Sequence, residues 1–300
     1  MLEYFGIRSG SYYHSEPAIA YNSSDPMPYY LDQTRRAVFE GPSTEDGLPL
    51  YRHPEGLEVL PVMITAWGLG HIDVYRRTGS NESLDLIRSC ASWLVKHQQD
   101  NGAWLNGLPA AKFGLTTPHV SAMTQGLAIS FLLRAGRILG EPKHTTVSVK
   151  ALGPFARSIQ DDGVTSRNPE GPFYEEYPGV PTRHVLNGFI FAMLGLHDLV
   201  RFEDVRQAAE LFAEGLTTLK SWLPRFDLGY WSLYHIPESP RNPATIPYHR
   251  LHVSQLKILH AITGDEIFAE YHERWNGYLE SRFNALRTLP AKLNWILRAR

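Results

Sequence analysis

Cysteine, excess charge and long hydrophobic runs are all scarce in this 300-residue chain. The single Cys90 cannot form an intrachain disulfide, which fits a reducing compartment. Lys and Arg number 29 against 31 Asp and Glu, so the net charge of −2 gives no reason to expect nucleic acid as a partner. No apolar run reaches the ~18 residues of a membrane span, and residues 1–6 do not open a secretory signal. We therefore expect a cytoplasmic protein.

Signatures of several enzyme classes are absent as well. No glycine-rich phosphate loop follows a strand pattern, and there is neither a Gly-x-Ser-x-Gly elbow nor a Cys-His nucleophile signature. His249 and His252 could share a helix face and bind a metal, but no third ligand stands at a recognisable spacing. We expect no required cofactor, with a structural calcium ion left open. Aromatic residues make up 12% of the chain, and half-exposed aromatics commonly hold sugar rings, although most belong in a core.

A fourfold repeat is marked by proline and glycine more than by sequence identity. Four helical apolar patterns of about 17–20 residues each begin at or soon after a proline, at Pro61, Pro118, Pro181 and Pro247. Proline suits the first helical turn, because its missing N–H would be unpaired there anyway. Three of the patterns end at a glycine suited to the left-handed residue after a helix, at Gly79, Gly140 and Gly264. The third connection, near 201–202, lacks one.

A more polar helix is predicted after each pattern, at about 82–99, 142–158, 203–222 and 265–280. The chain is therefore predicted to be mainly α, an α/α toroid of four helical hairpins with the apolar helices inside. An open solenoid and an irregular helical domain are the alternatives.

Three regions follow along the chain. Residues 1–50 have little helical period and are interpreted as an N-terminal extended arm, with a short β-hairpin allowed near 27–40. Residues 51–280 are expected to form the α/α barrel. Residues 281–300 form a basic amphipathic tail, which can lie on an anionic membrane surface, although packing on its own domain or on a partner subunit is more common.

In a toroid, the N-termini of the four apolar helices meet at one mouth. Free N–H groups and the helix dipoles favour an anion there, so a carboxylate-bearing substrate fits. Polar and aromatic candidates lie just before these N-termini or in the first turns. They are Tyr51, Arg52, His119, Ser121, Gln125, Tyr174, Glu175, Glu176, Tyr177, Arg183, His184, Asn187, Tyr234, Tyr248, Arg250 and His252.

The segment 171–189 contains the largest group of these acidic and phenolic side chains. Glu175 and Glu176 stand between Tyr174 and Tyr177, on a backbone stiffened by prolines. A carboxylate beside a phenol suits proton transfer. Neighbours in an extended segment point opposite ways, so only one glutamate needs to be functional, while the other can cap a helix or pair with an arginine. Tyr174 is better explained by packing.

Over these positions the chain resembles the C-terminal catalytic region of D-glucuronyl C5-epimerases, the heparan/heparosan epimerase family. The resemblance covers most of 45–280 and is strongest over 163–200. Its motifs here are Ser-Ala-Met-Thr-Gln-Gly at 121–126, Glu-Glu-Tyr-Pro at 175–178, Val-Leu-Asn-Gly at 185–188 and Tyr-His-x-x-His at 248–252. The family has an α/α-barrel domain and inverts C5 of glucuronate units in a polysaccharide to give iduronate. Its members are dimeric, which implies a homodimer here.

The resemblance also implies the site residues. Those expected to be catalytic are Glu176, Tyr177, Tyr234 and Tyr248. The substrate is expected to contact Tyr51, Arg52, Gln125, Arg183, Asn187, Arg250 and His252. One motif departs from the family: its Tyr-Asp-Leu-Arg is Tyr-His-Ile-Pro at 234–237, so an arginine for the substrate carboxylate is missing. The candidates to replace it are Arg183, Arg241 and Arg250.

Epimerisation requires a base on one face of the sugar, an acid on the other, and groups that stabilise charge on the carboxylate. We assign Glu176 and Tyr248 to one face and Tyr177 or Tyr234 to the other. The uronate would be oriented by Arg250, Asn187 and His252.

Three other functions stay open. A polysaccharide lyase uses the same proton abstraction. A glycoside hydrolase needs a second carboxylate opposite Glu176, for which Asp162 and Asp227 are the candidates. A noncatalytic glycan-binding module needs neither proton abstraction nor a second carboxylate.

Overall fold

The computed structural model describes residues 18–53, 56–115, 118–237 and 240–298, and most of these residues lie in nine α-helices. Eight of the helices form four successive hairpins. The hairpins are α1 (Pro61–Thr78) with α2 (Asn81–His97), α3 (Ala122–Leu139) with α4 (Lys143–Lys150), α5 (Leu186–Glu203) with α6 (Arg206–Trp222), and α7 (Ile246–Thr263) with α8 (Glu266–Leu279). The ninth helix, α9 (Arg282–Arg298), follows the last hairpin. The prediction of a mainly α fold is confirmed.

The first helix of each hairpin belongs to an inner layer. Helix α3 packs against α1 on one side and α5 on the other, and α5 also contacts α7. Nearly every residue of α3 and α5 is buried, whereas α2 and α6 bury one face. The α3–α5 contact depends on glycine, because a Cβ at Gly195 would collide with the backbone of Gly126. Within the described ranges, no helix is both long and apolar enough to cross a membrane.

The predicted helix ends are confirmed where glycine marks them. Gly79, Gly140 and Gly264 follow α1, α3 and α7 in the left-handed conformation, with φ of 69°, 69° and 71°. The hairpin that lacks a glycine turns at Asp204 instead, with φ 49°. Aspartate is among the few non-glycine residues that tolerate this region.

Two helices begin later than their prolines predict, because short strands intervene. Helix α5 begins at Leu186 and not directly after Pro181, since His184 and Val185 pair with a strand from before α7. In the described part of the chain there are four two-stranded sheets, and each is antiparallel. They are β1 (Tyr51–His53) with β2 (Gly56–Glu58), β3 (Leu105–Asn106) with β4 (His119–Val120), β5 (Thr165–Asn168) with β6 (Gly171–Tyr174), and β7 (His184–Val185) with β8 (His235–Ile236).

Helix α4 is much shorter than the predicted 142–158. It ends at Lys150, and turns follow over 151–156. Gly153 and Pro154 lie in this stretch, where a Cβ at Gly153 would collide with the carbonyl oxygen of Asn101. Proline also disfavours a helical conformation in the residue before it.

The arm that precedes the hairpins is described from residue 18, so residues 1–17 of the predicted arm lie outside the described residues. It contains bends and turns, with single antiparallel bridges at Ile19–Leu31 and Ser43–Pro49. Where a hairpin was allowed near 27–40, the chain forms a 3₁₀ helix at Thr34–Ala37.

The arm is anchored to the inner layer through a buried ion pair. The guanidinium of Arg134 on α3 lies 2.6 Å and 3.0 Å from the two carboxylate oxygens of Asp198 on α5. Arg134 also donates to the carbonyl oxygen of Met27 at 3.0 Å, and the Tyr30 hydroxyl donates to Asp198 at 2.9 Å.

The basic amphipathic tail is the helix α9, which packs on the rest of the chain through Thr288 and Trp295. Lys292 donates from Nζ to Asn242 Oδ1 at 2.6 Å and to the carbonyl oxygen of Pro243 at 3.1 Å. These contacts attach α9 to the segment between β8 and α7.

Candidate active site

Three inner-helix N-termini meet the segments that carry the predicted catalytic residues. At the start of α3, the Ala122 N–H donates to the carbonyl oxygen of Glu175 at 2.9 Å. At the start of α5, the Leu186 N–H donates to the carbonyl oxygen of Tyr234 at 3.2 Å. Tyr248 lies in the first turn of α7, which is capped by Thr245. Residues distant in sequence therefore lie at one end of the inner layer.

A continuous row of rings joins these segments, and we call it the aromatic row. Tyr177 stacks on Phe113, with ring centroids 3.9 Å apart and planes 2° from parallel. Phe113 meets the edge of His235 at 6.1 Å, and His235 meets Tyr234 at 6.0 Å. Tyr234 packs edge-to-face on Tyr248 at 5.0 Å. Three of the four predicted catalytic residues thus belong to one packed row.

The fourth, Glu176, is buried beside the row. Its carboxylate lies against the first turn of α5, where a Cβ at Gly188 would collide with Oε2. Burial raises the pKa of Glu176 to about 7, and the hydrogen bond from the Tyr177 side chain opposes that rise. This carboxyl can therefore exchange a proton near neutral pH.

Glu175 faces a different set of groups. Its Oε1 accepts hydrogen bonds from Ser166 Oγ and from His184 Nδ1, the latter at 2.6 Å. Its neighbour Tyr174 donates to the carbonyl oxygen of Leu211 at 2.7 Å and packs in the core. Of the two adjacent glutamates, Glu176 is the one next to the aromatic row.

Some of the predicted substrate ligands lie near the row. Asn187 is in the first turn of α5, with a buried Oδ1 that has no hydrogen-bond partner among the described residues. Arg183 is half-buried, and its charge acts on His235. Arg250 is exposed in the first turns of α7, next to the buried His249.

Tyr51 and Arg52 are exposed on β1, in the sheet that precedes α1. In the described part of the chain, neither residue forms a hydrogen bond, an ion pair or a ring contact with a member of the aromatic row. The sheet meets the loop after β3, since a Cβ at Gly107 would collide with the Glu58 carboxylate.

The Gln125 amide is engaged in hydrogen bonds to backbone groups of two loops. Its Oε1 accepts the Trp104 N–H at 2.9 Å, and its Nε2 donates to the carbonyl oxygens of Gly102 and Ala151 at 3.0 Å and 3.2 Å. It is fully buried. Its side chain therefore ties two loops to α3.

His252 is also fully buried. Its Nδ1 lies 2.9 Å from Ser232 Oγ, and the same hydroxyl lies 2.7 Å from His249 Nδ1. His249 contacts the carbonyl oxygen of Trp275 through Nε2 at 3.0 Å. Burial lowers the pKa of both histidines, so their rings are neutral and stabilise the packing of α7 on α8.

Sequence reasoning missed Phe113 and His235. Phe113 lies in a 3₁₀ helix at Ala111–Phe113, inside a connection that has no apolar period. His235 stands in the motif that departs from the family, directly after Tyr234. That departure was the signal that could have identified it.

A family model described as D-glucuronyl C5-epimerase C-terminus matches residues 106–277. The chain is 34% identical over 210 residues to the D-glucuronyl C5-epimerase of Caenorhabditis elegans, which covers 63% of this chain and 34% of the nematode protein. It is 27% identical over 176 residues to an uncharacterised protein of Methanocaldococcus jannaschii, which covers 57% and 56%. The chain thus spans a third of the first relative's length and just over half of the second's.

Among solved structures, the chain resembles the unsaturated glucuronyl hydrolase of Bacillus sp. GL1, an enzyme responsible for glycosaminoglycan degradation. The TM-score is 0.53 at 14% identity, with 73% of this chain and 61% of that one covered. At this identity the likeness shows the fold alone, which is an α/α barrel, as predicted. Since the family model matches more than half of its residues, the chain belongs to the D-glucuronyl C5-epimerase family through that family's C-terminal region.

Proposed function

We propose that the chain catalyses inversion at C5 of D-glucuronate units in a polysaccharide or oligosaccharide. One observation carries the proposal: a buried carboxyl with a pKa raised to about 7, Glu176, is hydrogen-bonded by Tyr177 within the family's Glu-Glu-Tyr-Pro motif. A general base is most effective when its pKa lies near the working pH.

The reaction needs no change in oxidation state. A base removes the C5 proton, and the electron pair of the broken C–H bond moves into the adjacent carboxylate to give an enolate-like state. An acid on the other face returns a proton to C5, and the electron pair forms the new C–H bond. Each turnover exchanges the C5 hydrogen with one from the protein or solvent.

The contacts support an assignment of residues to the two faces of the sugar that differs from the one drawn from sequence. Glu176 is linked to Tyr177, and Tyr234 packs on Tyr248. We therefore assign Glu176 and Tyr177 to one face of the sugar, and Tyr234 and Tyr248 to the other. Heparosan and heparan-sulfate chains are the first substrates to try, and a homodimer is the assembly that the family suggests.

The alternative of a glycoside hydrolase loses support, because it needs either Asp227 or Asp162 as a second carboxylate opposite Glu176. Asp227 accepts hydrogen bonds from the Gly229 N–H at 2.8 Å and the Tyr278 hydroxyl at 3.2 Å, on the side of α8. Asp162 is exposed in a left-handed turn. Among the described residues, neither carboxylate forms a hydrogen bond or an ion pair with a residue that also bonds Glu176.

Deuterium exchange tests the proposal directly. Heparosan oligosaccharide is incubated with the chain in D₂O, and C5 deuterium and iduronate are followed by NMR. The native chain should incorporate deuterium, Glu176→Gln should not, and Glu170→Gln, an exposed acid in the turn between β5 and β6, should match the native rate. Unsaturated-uronate absorbance would indicate a lyase, new reducing ends a hydrolase, and binding without turnover a glycan-binding module.

A further inference from the structure

His235 combines deep burial with unused hydrogen-bonding capacity. Its side chain is 2% exposed, and neither ring nitrogen has a hydrogen-bond partner in the described part of the chain. Buried polar groups without a partner are rare in folded proteins and call for an explanation. The ring lies in the middle of the aromatic row, between Phe113 and Tyr234, with the Trp295 ring 5.9 Å away.

The charges that act on His235 are all positive. Burial has the largest effect and, together with the charges of Arg183, Lys292 and His184, lowers the pKa of His235 to about 3. The imidazole is therefore neutral at physiological pH, with one N–H donor and one acceptor nitrogen.

Arg183 stands directly before the strand that pairs with His235. Val185 is paired with His235 across β7 and β8, and Arg183 lies two residues before Val185. The charge of Arg183 acts on His235 from this position.

Lys292 reaches the same region from α9. Its two hydrogen bonds, to Asn242 Oδ1 and the carbonyl oxygen of Pro243, hold the ammonium beside the segment that leads from β8 to α7. The ammonium also lies 5.2 Å from the centroid of the Trp295 ring, which is the α9 residue in contact with His235.

We propose that Arg183, His235 and Lys292 form the subsite that binds the substrate carboxylate, which makes the C-terminal helix α9 part of the substrate site. The inference rests on the proposed function and identifies the groups that take over from the arginine missing after Tyr234. Of the other candidates, Arg241 and Arg250 are exposed. A guanidinium binds a carboxylate with paired donors, an ammonium supplies a compact charge, and a neutral imidazole adds one donor. All three would stabilise the charge that builds on the carboxylate when C5–H is broken.

The test compares two ligands by calorimetry: a heparosan oligosaccharide, and the same oligosaccharide with its carboxyl groups reduced to alcohols. Arg183→Gln and Lys292→Gln should each weaken binding of the acidic ligand about tenfold, a loss of about 1.4 kcal/mol, and leave the reduced ligand unaffected. His235→Phe keeps an aromatic ring but removes the donor, so it should also weaken only the acidic ligand. Lys292→Arg should restore most of the affinity. Arg282→Gln removes an exposed charge from the first turn of the same helix and is the matched control.

The outcomes separate this subsite from the proposed reaction. Equal losses for both ligands, unchanged affinity in all three variants, or no binding of the acidic ligand by the native chain would each overturn the subsite. Selective loss of acidic-ligand affinity, together with no deuterium exchange by the native chain, would support the subsite and contradict the epimerase. Thermal unfolding of each variant identifies any that has lost its fold, and for such a position Arg183→Lys or His235→Gln replaces it in the same comparison.

Discussion

The Tyr177 side chain is hydrogen-bonded to the buried carboxylate of Glu176, one residue earlier in the chain. Burial disfavours the charged carboxylate, and the hydrogen bond favours it, so the two effects act in opposite directions. The net result is a pKa of about 7 for Glu176. A group balanced in this way can accept a proton and return it with little cost in either direction, which is what a reversible inversion at carbon requires.

The rate of C5 exchange should therefore depend on the ionisation of Glu176. We expect kcat/KM to rise with pH up to an inflection near 7 and then level off, because only the ionised carboxylate can remove the proton. Glu176→Gln should lower the rate by a factor of about 10²–10⁴. Tyr177→Phe should move the inflection to higher pH, because the hydrogen bond that lowers the Glu176 pKa is lost. Initial rates of deuterium incorporation from about pH 5 to 9 measure all three. A native profile without an inflection in this range would contradict the assignment of Glu176 as the base.

Glu176 should also make the folded state less stable as pH rises. A carboxyl whose pKa is raised from 4.5 to about 7 on folding binds its proton more tightly in the folded state. Stability is then fully retained below 4.5 and falls as the pH rises through 7. A shift of one pKa unit corresponds to about 1.36 kcal/mol, so the rise of the Glu176 pKa from 4.5 to about 7 corresponds to a loss of about 3 kcal/mol in unfolding free energy.

Glu176→Gln removes this titration, so the variant should be more stable than the native chain at pH 8 and nearly equal to it at pH 4. Urea unfolding at the two pH values gives the difference. Glu170→Gln, which changes an exposed carboxyl, should show no such dependence on pH. A stability difference between Glu176→Gln and the native chain that is the same at both pH values would show that Glu176 is ionised at neither or at both.

Tyr234 and Tyr248 should affect turnover more than binding. Each phenylalanine substitution keeps the ring contact at 5.0 Å and removes only the hydroxyl. We expect Tyr234→Phe and Tyr248→Phe to lower the exchange rate by about 10² or more, with the Kd for heparosan oligosaccharide within about threefold of the native value. Tyr75→Phe, in the last turn of α1 and away from the helix N-termini, serves as the control. Parallel losses in affinity and rate would instead assign the two phenols to substrate binding.

The repeat could be predicted because it depends on the local backbone preferences of proline and glycine. A proline in the first turn of α1 and α7, and a left-handed glycine after α1, α3 and α7, are effects of one residue on its own dihedral angles. Glu176 and Tyr177 were predicted as site residues through the family resemblance, since the Glu-Glu-Tyr-Pro motif that carries it is contiguous.

Features that depend on distant partners could not be predicted in this way. His184 and Val185 were expected in a helix, because a two-residue strand such as β7 has no period of its own and exists only through pairing with β8. Gln125 was predicted to be a substrate ligand at a helix N-terminus, yet its amide donates hydrogen bonds to the carbonyl oxygens of Gly102 and Ala151. His235 contacts Phe113 in a loop and Trp295 on α9, and Trp295 lies more than 50 residues further along the chain.

The buried ion pair between Arg134 and Asp198 should be the most sensitive position for stability outside the site. Both side chains are fully buried, and the same carboxylate accepts the Tyr30 hydroxyl. Removing one charge leaves the other without compensation inside the protein, so Asp198→Asn should cost about 3–5 kcal/mol of unfolding free energy. The matched control is Asp85→Asn, because the pair between Arg88 and Asp85 is 51% and 73% exposed and should change stability by less than about 1 kcal/mol.

Chemical denaturation at low and high salt measures both variants. The exposed pair should lose its small contribution in high salt, whereas the cost of Asp198→Asn should persist. Equal effects of the two substitutions would mean that Asp198 does not anchor the arm to the inner helices.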